Sequence, residues 1–175
     1  HPRRALVEPG RVIVVLSPGS FRERDALLRR LAVEVLSRCG DANVGLGELA
    51  QDGDMAGRWD EQRIAQAISN LMSNAIKYGA RDEPIQVTLN GVARNQVVVE
   101  VHNQGPTIPA EKLESLFQPL VRGAGADPTG YSLGLGLFIV REIATAHGGA
   151  VDVDSSGDGT TFRFCLPRTQ KTLPS

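Results

Sequence analysis

Apolar residues recur along this chain with two periods, and the switches between them mark its elements. Between positions 61 and 78 the set Ile64, Ile68, Leu71 and Ala75 falls three or four residues apart. At about 100° of turn per residue that spacing makes one buried stripe on a helix. Asp60 stands where such a helix takes its N-cap, and Gly79 where it breaks. Two strictly alternating runs follow, Ile85, Val87 and Leu89, then Val97, Val99 and Val101, which predict an antiparallel hairpin closed through Asn90 to Asn95. A short helix is expected from Pro109 and Glu111 to about Leu116. A longer one runs from Leu135 to His147, with an apolar face of Leu137, Val140, Ile143 and Ala144, and Gly148 ends it. A last hairpin pairs Ala150 to Asp154 with Thr161 to Leu166 across Ser155 to Gly159.

Upstream the pattern is weaker. Arg11 to Leu16 reads as a strand, Asp25 as the cap of a helix that buries Leu28, Leu31, Val35 and Leu36 and stops at Gly40, and Val44 to Ala50 as a strand weakened by Gly45 and Gly47. Residues 1 to 10 read as a linker, and those after Pro167 as a frayed tail. One domain over residues 11 to 168 is the expectation. Strands with helices interspersed, several of the strands antiparallel, point to an α+β fold: a two-layer α/β sandwich whose mixed, mostly antiparallel sheet is covered by helices on one face.

Composition narrows this little. The 175 residues carry a formal net charge of −1 and 41% hydrophobic residues, enough for one buried core and no basis for a nucleic-acid or anionic-membrane surface. The apolar run Val12 to Leu16 is far below the roughly 20 residues that span a bilayer. Cys39 and Cys165 lack metal-ligand spacing and read as reduced thiols of a cytoplasmic protein.

The chemistry lies in polar positions that the apolar pattern leaves over. On the helix over 61 to 78, Asn70, Asn74, Lys77 and Tyr78 share a stripe beside the apolar one, so amides, an ammonium and a phenol line one edge. Two glycine-bearing segments follow, HNQGPTIP at 102 to 109 and SLGLGL at 132 to 137. The second opens a helix, so its backbone amides and the positive helix end can face phosphate oxygens. No strand immediately precedes it, which excludes the dinucleotide fingerprint, and no GxxxxGK[ST] phosphate loop occurs.

Taken in order, NLMSNAIKY at 70 to 78, NQGPTIP, LFQPLVRG at 116 to 123, the polar loop 123 to 131, SLGLGL and GTTF at 159 to 162 resemble the ATPase domain of sensor histidine kinases. That superfamily also holds gyrase, heat-shock chaperone and mismatch-repair ATPases. The resemblance covers about residues 11 to 168. It implies ATP and Mg²⁺ as cofactors, with Asn74 and Asn70 as the metal's amide ligands, Lys77 on phosphate and Tyr78 against base or ribose. Asn103, Gly105, Ile108, Phe117, Ser132, Leu133, Gly134, Leu135, Gly136, Leu137, Thr160 and Thr161 would complete the nucleotide site. Arg122, on the lid side, would meet the γ-phosphate and share the catalytic role with Asn70 and Lys77. Residues 120 to 133 would form a mobile ATP lid.

Three positions depart from the family pattern. Asn103 replaces its Asp, Thr107 a glycine, and Ser132 the first glycine of the later loop. An asparagine amide can accept the adenine amino hydrogen bond, or flip and donate instead. A mismatched buried group costs about 1 to 3 kcal/mol, or about fivefold to more than a hundredfold in affinity. A flipped amide would suit a guanine carbonyl.

The reaction implied is γ-phosphoryl transfer to a histidine, then to a response-regulator aspartate. His1, His102 and His147 do not fit an acceptor box, so the dimerisation and phosphoacceptor helices of a homodimeric parent, cytoplasmic or membrane-anchored, would lie outside this chain. Two other readings stand beside it: a noncatalytic nucleotide-sensing module and a serine kinase that regulates a sigma factor.

Overall fold

Four strands that alternate apolar and polar residues need a partner for only one face, and two amphipathic helices supply it. In this computed structural model, residues 13–16, 48–53, 55–80, 83–120 and 134–169 are described. They form strands β1 (Ile13–Leu16), β2 (Glu48–Gly53), β3 (Gln86–Gly91), β4 (Gln96–Asn103), β5 (Ala150–Ser156) and β6 (Gly159–Pro167). The helices are α1 (Glu61–Tyr78), the single turn α2 (Ala110–Leu113), which runs into a 3-10 turn at Glu114–Phe117, and α3 (Gly136–Ala146). The expected helix from Asp25 to Gly40 and the lid lie outside the described residues, apart from Leu120.

The sheet has six strands in the order β1-β2-β3-β4-β6-β5. Strands β3, β4, β6 and β5 pair antiparallel, whereas β1 and β2, and β2 and β3, pair parallel. This is the mixed, mostly antiparallel sheet of an α+β sandwich. β2 sits later in the sequence than Val44 to Ala50 because its ladder is set by β3, Glu48 opposite Gln86 through Gly53 opposite Gly91.

Alternation dictates the core. Val87 and Leu89 on β3, Val97, Val99 and Val101 on β4, and Phe162, Phe164 and Leu166 on β6 are buried on one face. Against them pack Ile64, Ala67, Ile68, Leu71, Met72 and Ala75 of α1 and Val140, Ile143 and Ala144 of α3. Each large side chain so buried contributes about 1.5 to 3 kcal/mol of transfer free energy. The other face is polar, and Arg163 on β6 reaches both Glu100 on β4 (3.4 Å) and Asp152 on β5 (3.3 Å).

Caps set the helix limits. The Asp60 carboxylate accepts the Arg63 amide hydrogen at 3.1 Å and starts α1. Its end at Gly79 is extended (φ −72°), whereas α3 is followed by Gly148 in the left-handed region (φ +71°). His147, just after α3, is buried and links the two helices. Its Nδ1 lies 2.8 Å from the Ile143 carbonyl oxygen, and its Nε2 accepts the Asp60 amide hydrogen at 3.2 Å. Both contacts are satisfied at once only by the neutral tautomer with its proton on Nδ1.

Two expectations change. The last hairpin is tighter than its loop suggested: Ser155 pairs with Thr160 and Ser156 with Gly159, which leaves only Gly157 and Asp158 in the turn. Just after Pro167 the chain is also tied to the sheet, because the Arg168 guanidinium donates to the carbonyls of Ala56 (2.7 Å), Gly91 (2.7 Å) and Ala93 (3.0 Å).

Candidate functional site

Polar residues of α1, β4 and β6 gather where the ends of β4 and α3 meet the outer edge of α1. Asn70 and Asn74 stand one turn apart and are half-buried, and Lys77 is exposed. They lie beside the apolar stripe because 3.6 residues per turn rotates them off it. The Asn70 side-chain nitrogen donates to the Gly136 carbonyl at 3.3 Å, which joins α1 to the start of α3 and turns the Asn70 amide oxygen away from that bond. Lys77 Nζ sits 5.3 Å from the centroid of the Tyr78 ring, a cation–π contact that holds it near the helix end.

The second glycine segment enters α3 as a phosphate-facing turn would. Gly134 has φ +69°, a region that only glycine enters without strain. Leu135 is the N-cap residue and makes no side-chain cap bond, so its side chain does not satisfy the first-turn amides of α3, the kind of donors that face an anion at a helix start. Ser132, Leu133 and Arg122 lie outside the described residues. Leu120, at the edge of the expected lid, is exposed with φ +67°, a strained backbone for that residue.

The other side of the site is built at the end of β4. Asn103 is 4% exposed, and its side-chain nitrogen donates to the Gln104 carbonyl at 3.1 Å. That same carbonyl accepts the Ala80 amide hydrogen at 2.7 Å, which anchors the segment to the end of α1. A flipped amide would set two oxygens against each other, so the Gln104 carbonyl fixes the Asn103 nitrogen on that bond and leaves the side-chain oxygen as an acceptor. Gly105 lies so close to α1 that a Cβ there would come within 2.7 Å of the Tyr78 carbonyl oxygen. Thr107, where the family has a glycine, has no positive φ, and its hydroxyl donates to the Ser156 carbonyl at 2.9 Å. The half-buried Ile108 donates its amide hydrogen to Ser155 Oγ at 2.9 Å.

Strand parity separates the two threonines of GTTF. Asn103 and Thr160 are directly opposed on the helix-covered face, and His102 and Thr161 on the other. Thr160 is 5% exposed and joins Ser155 at 2.8 Å, whereas Thr161 meets His102 Nδ1 at 2.8 Å. Thr161 is therefore not brought together with the rest. The signal was legible in retrospect, since Thr161 alternates with the buried Phe162 and Phe164. Phe117 is buried edge-on to Phe162, ring centroids 6.2 Å apart, and so braces the core under the site. Sequence reasoning missed Gln104, Ser155 and Ser156, which act through backbone carbonyls or one hydroxyl and carry no motif.

Among the described residues no cluster of three or more His, Cys, Asp or Glu could hold a metal. The donor set fits a hard cation only in part. Two amide oxygens one turn apart suit Mg²⁺ but leave most of an octahedral shell to waters and phosphate oxygens, so such a cation would arrive with its nucleotide. No helix among the described residues is long and apolar enough to cross a membrane.

The comparisons with known proteins agree with this geometry. A family profile described as histidine kinase-, DNA gyrase B- and HSP90-like ATPase matches residues 59–170. The adaptive-response sensory kinase SasA of Crocosphaera subtropica is 37% identical over 153 residues, which cover 83% of this chain and 39% of that protein. The chain thus spans about two fifths of that relative's length. The nucleotide-free catalytic domain of histidine kinase ThkA superposes with a TM-score of 0.71 at 30% identity, covering 83% of this chain and 95% of that one. ThkA in complex with the response regulator TrrA gives 0.68 at 27%, covering 85% and 41%. The chain belongs to the histidine kinase-, gyrase B- and HSP90-like ATPase family, as an ATP-binding catalytic domain of the sensor histidine kinase type.

Proposed function

We propose that this domain, residues 11 to 168, binds Mg²⁺-ATP and presents its γ-phosphoryl group to a histidine on the dimerisation and phosphoacceptor helices of its own parent. The parent would be a cytoplasmic or membrane-anchored homodimer that passes the phosphoryl group to a response-regulator aspartate. The observation that carries the reading is the bond from Asn70 to Gly136, which sets the amide edge of α1 beside the uncapped amides of α3, with the buried acceptor Asn103 at the end of the neighbouring strand. One end suits phosphates and the other suits an amino-bearing base.

In this reading Asn74 and Asn70 hold the cation, and Mg²⁺ neutralises charge on the phosphate chain when bound. The first-turn amides of α3 and Lys77 receive phosphate oxygens, with Arg122 as the cation assigned to the γ-phosphate. Asn103 accepts the adenine amino hydrogen while Gly105 and Ile108 shape the base side and Tyr78 packs beside it. Since Gln104 engages the amide nitrogen, the oxygen is left to accept and adenine is favoured over guanine. The departures at Asn103, Thr107 and Ser132 are what would favour a nucleotide-sensing reading, and two of them lose their force, because Asn103 keeps an acceptor and Thr107 fits without a glycine's backbone.

Calorimetric titration with ATP and with GTP, each with and without Mg²⁺, tests binding. Transfer is tested by adding the phosphoacceptor helices and γ-labelled ATP and looking for acid-labile label on histidine. Binding of ATP without transfer would favour the sensor, and equal binding of GTP would remove the role given to Asn103.

A further inference from the structure

A loop that must meet a flat base gains from being held before the base arrives, and here the tip of the β5–β6 hairpin holds it. Thr107 Oγ1 donates to the Ser156 carbonyl (2.9 Å), the Ile108 amide donates to Ser155 Oγ (2.9 Å), and Ser155 Oγ meets Thr160 Oγ1 (2.8 Å). Ser155 Oγ accepts from the Ile108 amide and also shares a hydrogen bond with Thr160 Oγ1, in which either hydroxyl can donate, so the bonds link the loop to the buried end of β6. Gly159, at φ +116°, brings the hairpin so close to β4 that a Cβ there would overlap the Asn103 carbonyl oxygen. The clamp and the Asn103 acceptor therefore share one rigid corner.

We propose that Thr107 and Ser155 are positioning residues that preorganise the base side of the nucleotide site. The proposal rests on the nucleotide-binding reading above. Neither side chain needs to touch the ligand. Thr107 and the Ser156 carbonyl are exposed, so a severed bond is replaced by water at small cost to the fold. What is lost is the fraction of molecules whose loop is ready, and apparent affinity falls in proportion to that fraction.

The test compares wild type, Thr107→Val, Thr107→Ser and Ser155→Ala, using the affinity for Mg²⁺-ATP and the displacement constant of inorganic tripolyphosphate against a fluorescent ATP analogue. Thr107→Val should weaken ATP by about three- to tenfold, the worth of one net hydrogen bond, and leave tripolyphosphate and the melting temperature unchanged. Ser155→Ala should weaken ATP at least as much, and Thr107→Ser should restore it. Wild-type affinity in both Thr107→Val and Ser155→Ala would overturn the proposal while leaving the nucleotide reading intact. Equal loss of ATP and tripolyphosphate would also overturn it, as the mark of general disruption. A wild-type protein that binds neither ligand overturns both readings.

Discussion

The two ends of the site are built by opposite means. At the base end the protein satisfies its own polar groups: Asn103 on Gln104, Gln104 on Ala80, Thr107 on Ser156 and Ile108 on Ser155. At the phosphate end, among the described residues, no side chain of the N-cap holds the amides of α3, Lys77 is exposed with its ammonium over the Tyr78 ring, and Asn70 is hydrogen-bonded to Gly136. A neutral base offers little Coulombic attraction and must be met by a ready shape, while a triphosphate with its cation carries charge enough to organise donors around itself. Substitutions therefore act differently at the two ends: through preorganisation at the base end, through direct charge and ligation at the phosphate end.

The largest effect should break the phosphate end. Asn74→Ala should lower Mg²⁺-ATP affinity by more than about a hundredfold, since even residues that only orient a metal's ligands are worth about 10- to 100-fold. A half-buried helix residue exchanged for the best helix former should leave the melting curve nearly unmoved, and calorimetry with and without chelator reads the loss. Unchanged affinity would reject Asn74 as a ligand and shift the weight to the base end.

Asn103→Ala should come next, with ATP weakened by about fivefold to a hundredfold, the cost of 1 to 3 kcal/mol for a missing buried acceptor. Affinity for tripolyphosphate should stay put. If both ligands weaken together, the two ends are not separable.

A control lies away from both ends. His147→Ala removes the acceptor of the Asp60 amide and leaves a cavity between α3 and α1, so it should lower stability by about 1 to 3 kcal/mol in urea unfolding. ATP affinity of the folded fraction should hold within about twofold, because distant sites without shared partners act independently. A larger drop in affinity would show that the helix pair couples to the site.

The smallest expected effect is on the far face. Burial, aided by the nearby Asp152 charge, raises the Cys165 thiol above its ordinary value. The folded protein therefore holds this proton more tightly than the unfolded chain does. The group's contribution to stability is complete below the unfolded thiol's pKa and is lost as pH rises from there through the folded thiol's higher pKa. Alkylation of Cys165 should be slow near neutrality, accelerate only above the usual thiol range, and be indifferent to saturating ATP. Protection by ATP would place the nucleotide on the wrong face of the sheet.

Much of this protein was readable along the chain. A period of 3.6 from Ile64 to Ala75 and a period of 2 from Val97 to Val101 express local geometry, so α1, its Asp60 cap and the β3–β4 hairpin follow from neighbours in sequence. The Asn70, Asn74 and Lys77 edge follows too, because residues one turn apart must share a side. What pairs with what could not be read this way. The parallel seating of β2 on β3, the separation of Thr160 from Thr161 and the closure of Asn103 onto Gln104 depend on register and on which carbonyl lies within about 3 Å. Residues 102 to 109 alone do not specify that a hairpin some 50 positions later will hold them. Sequence by itself determined the elements and the candidate donors, since both are properties of residue type and spacing. Tertiary structure decided which donors are already spent within the protein and which remain for a ligand, because a hydrogen bond is a matter of distance in space, to which separation along the chain is no guide.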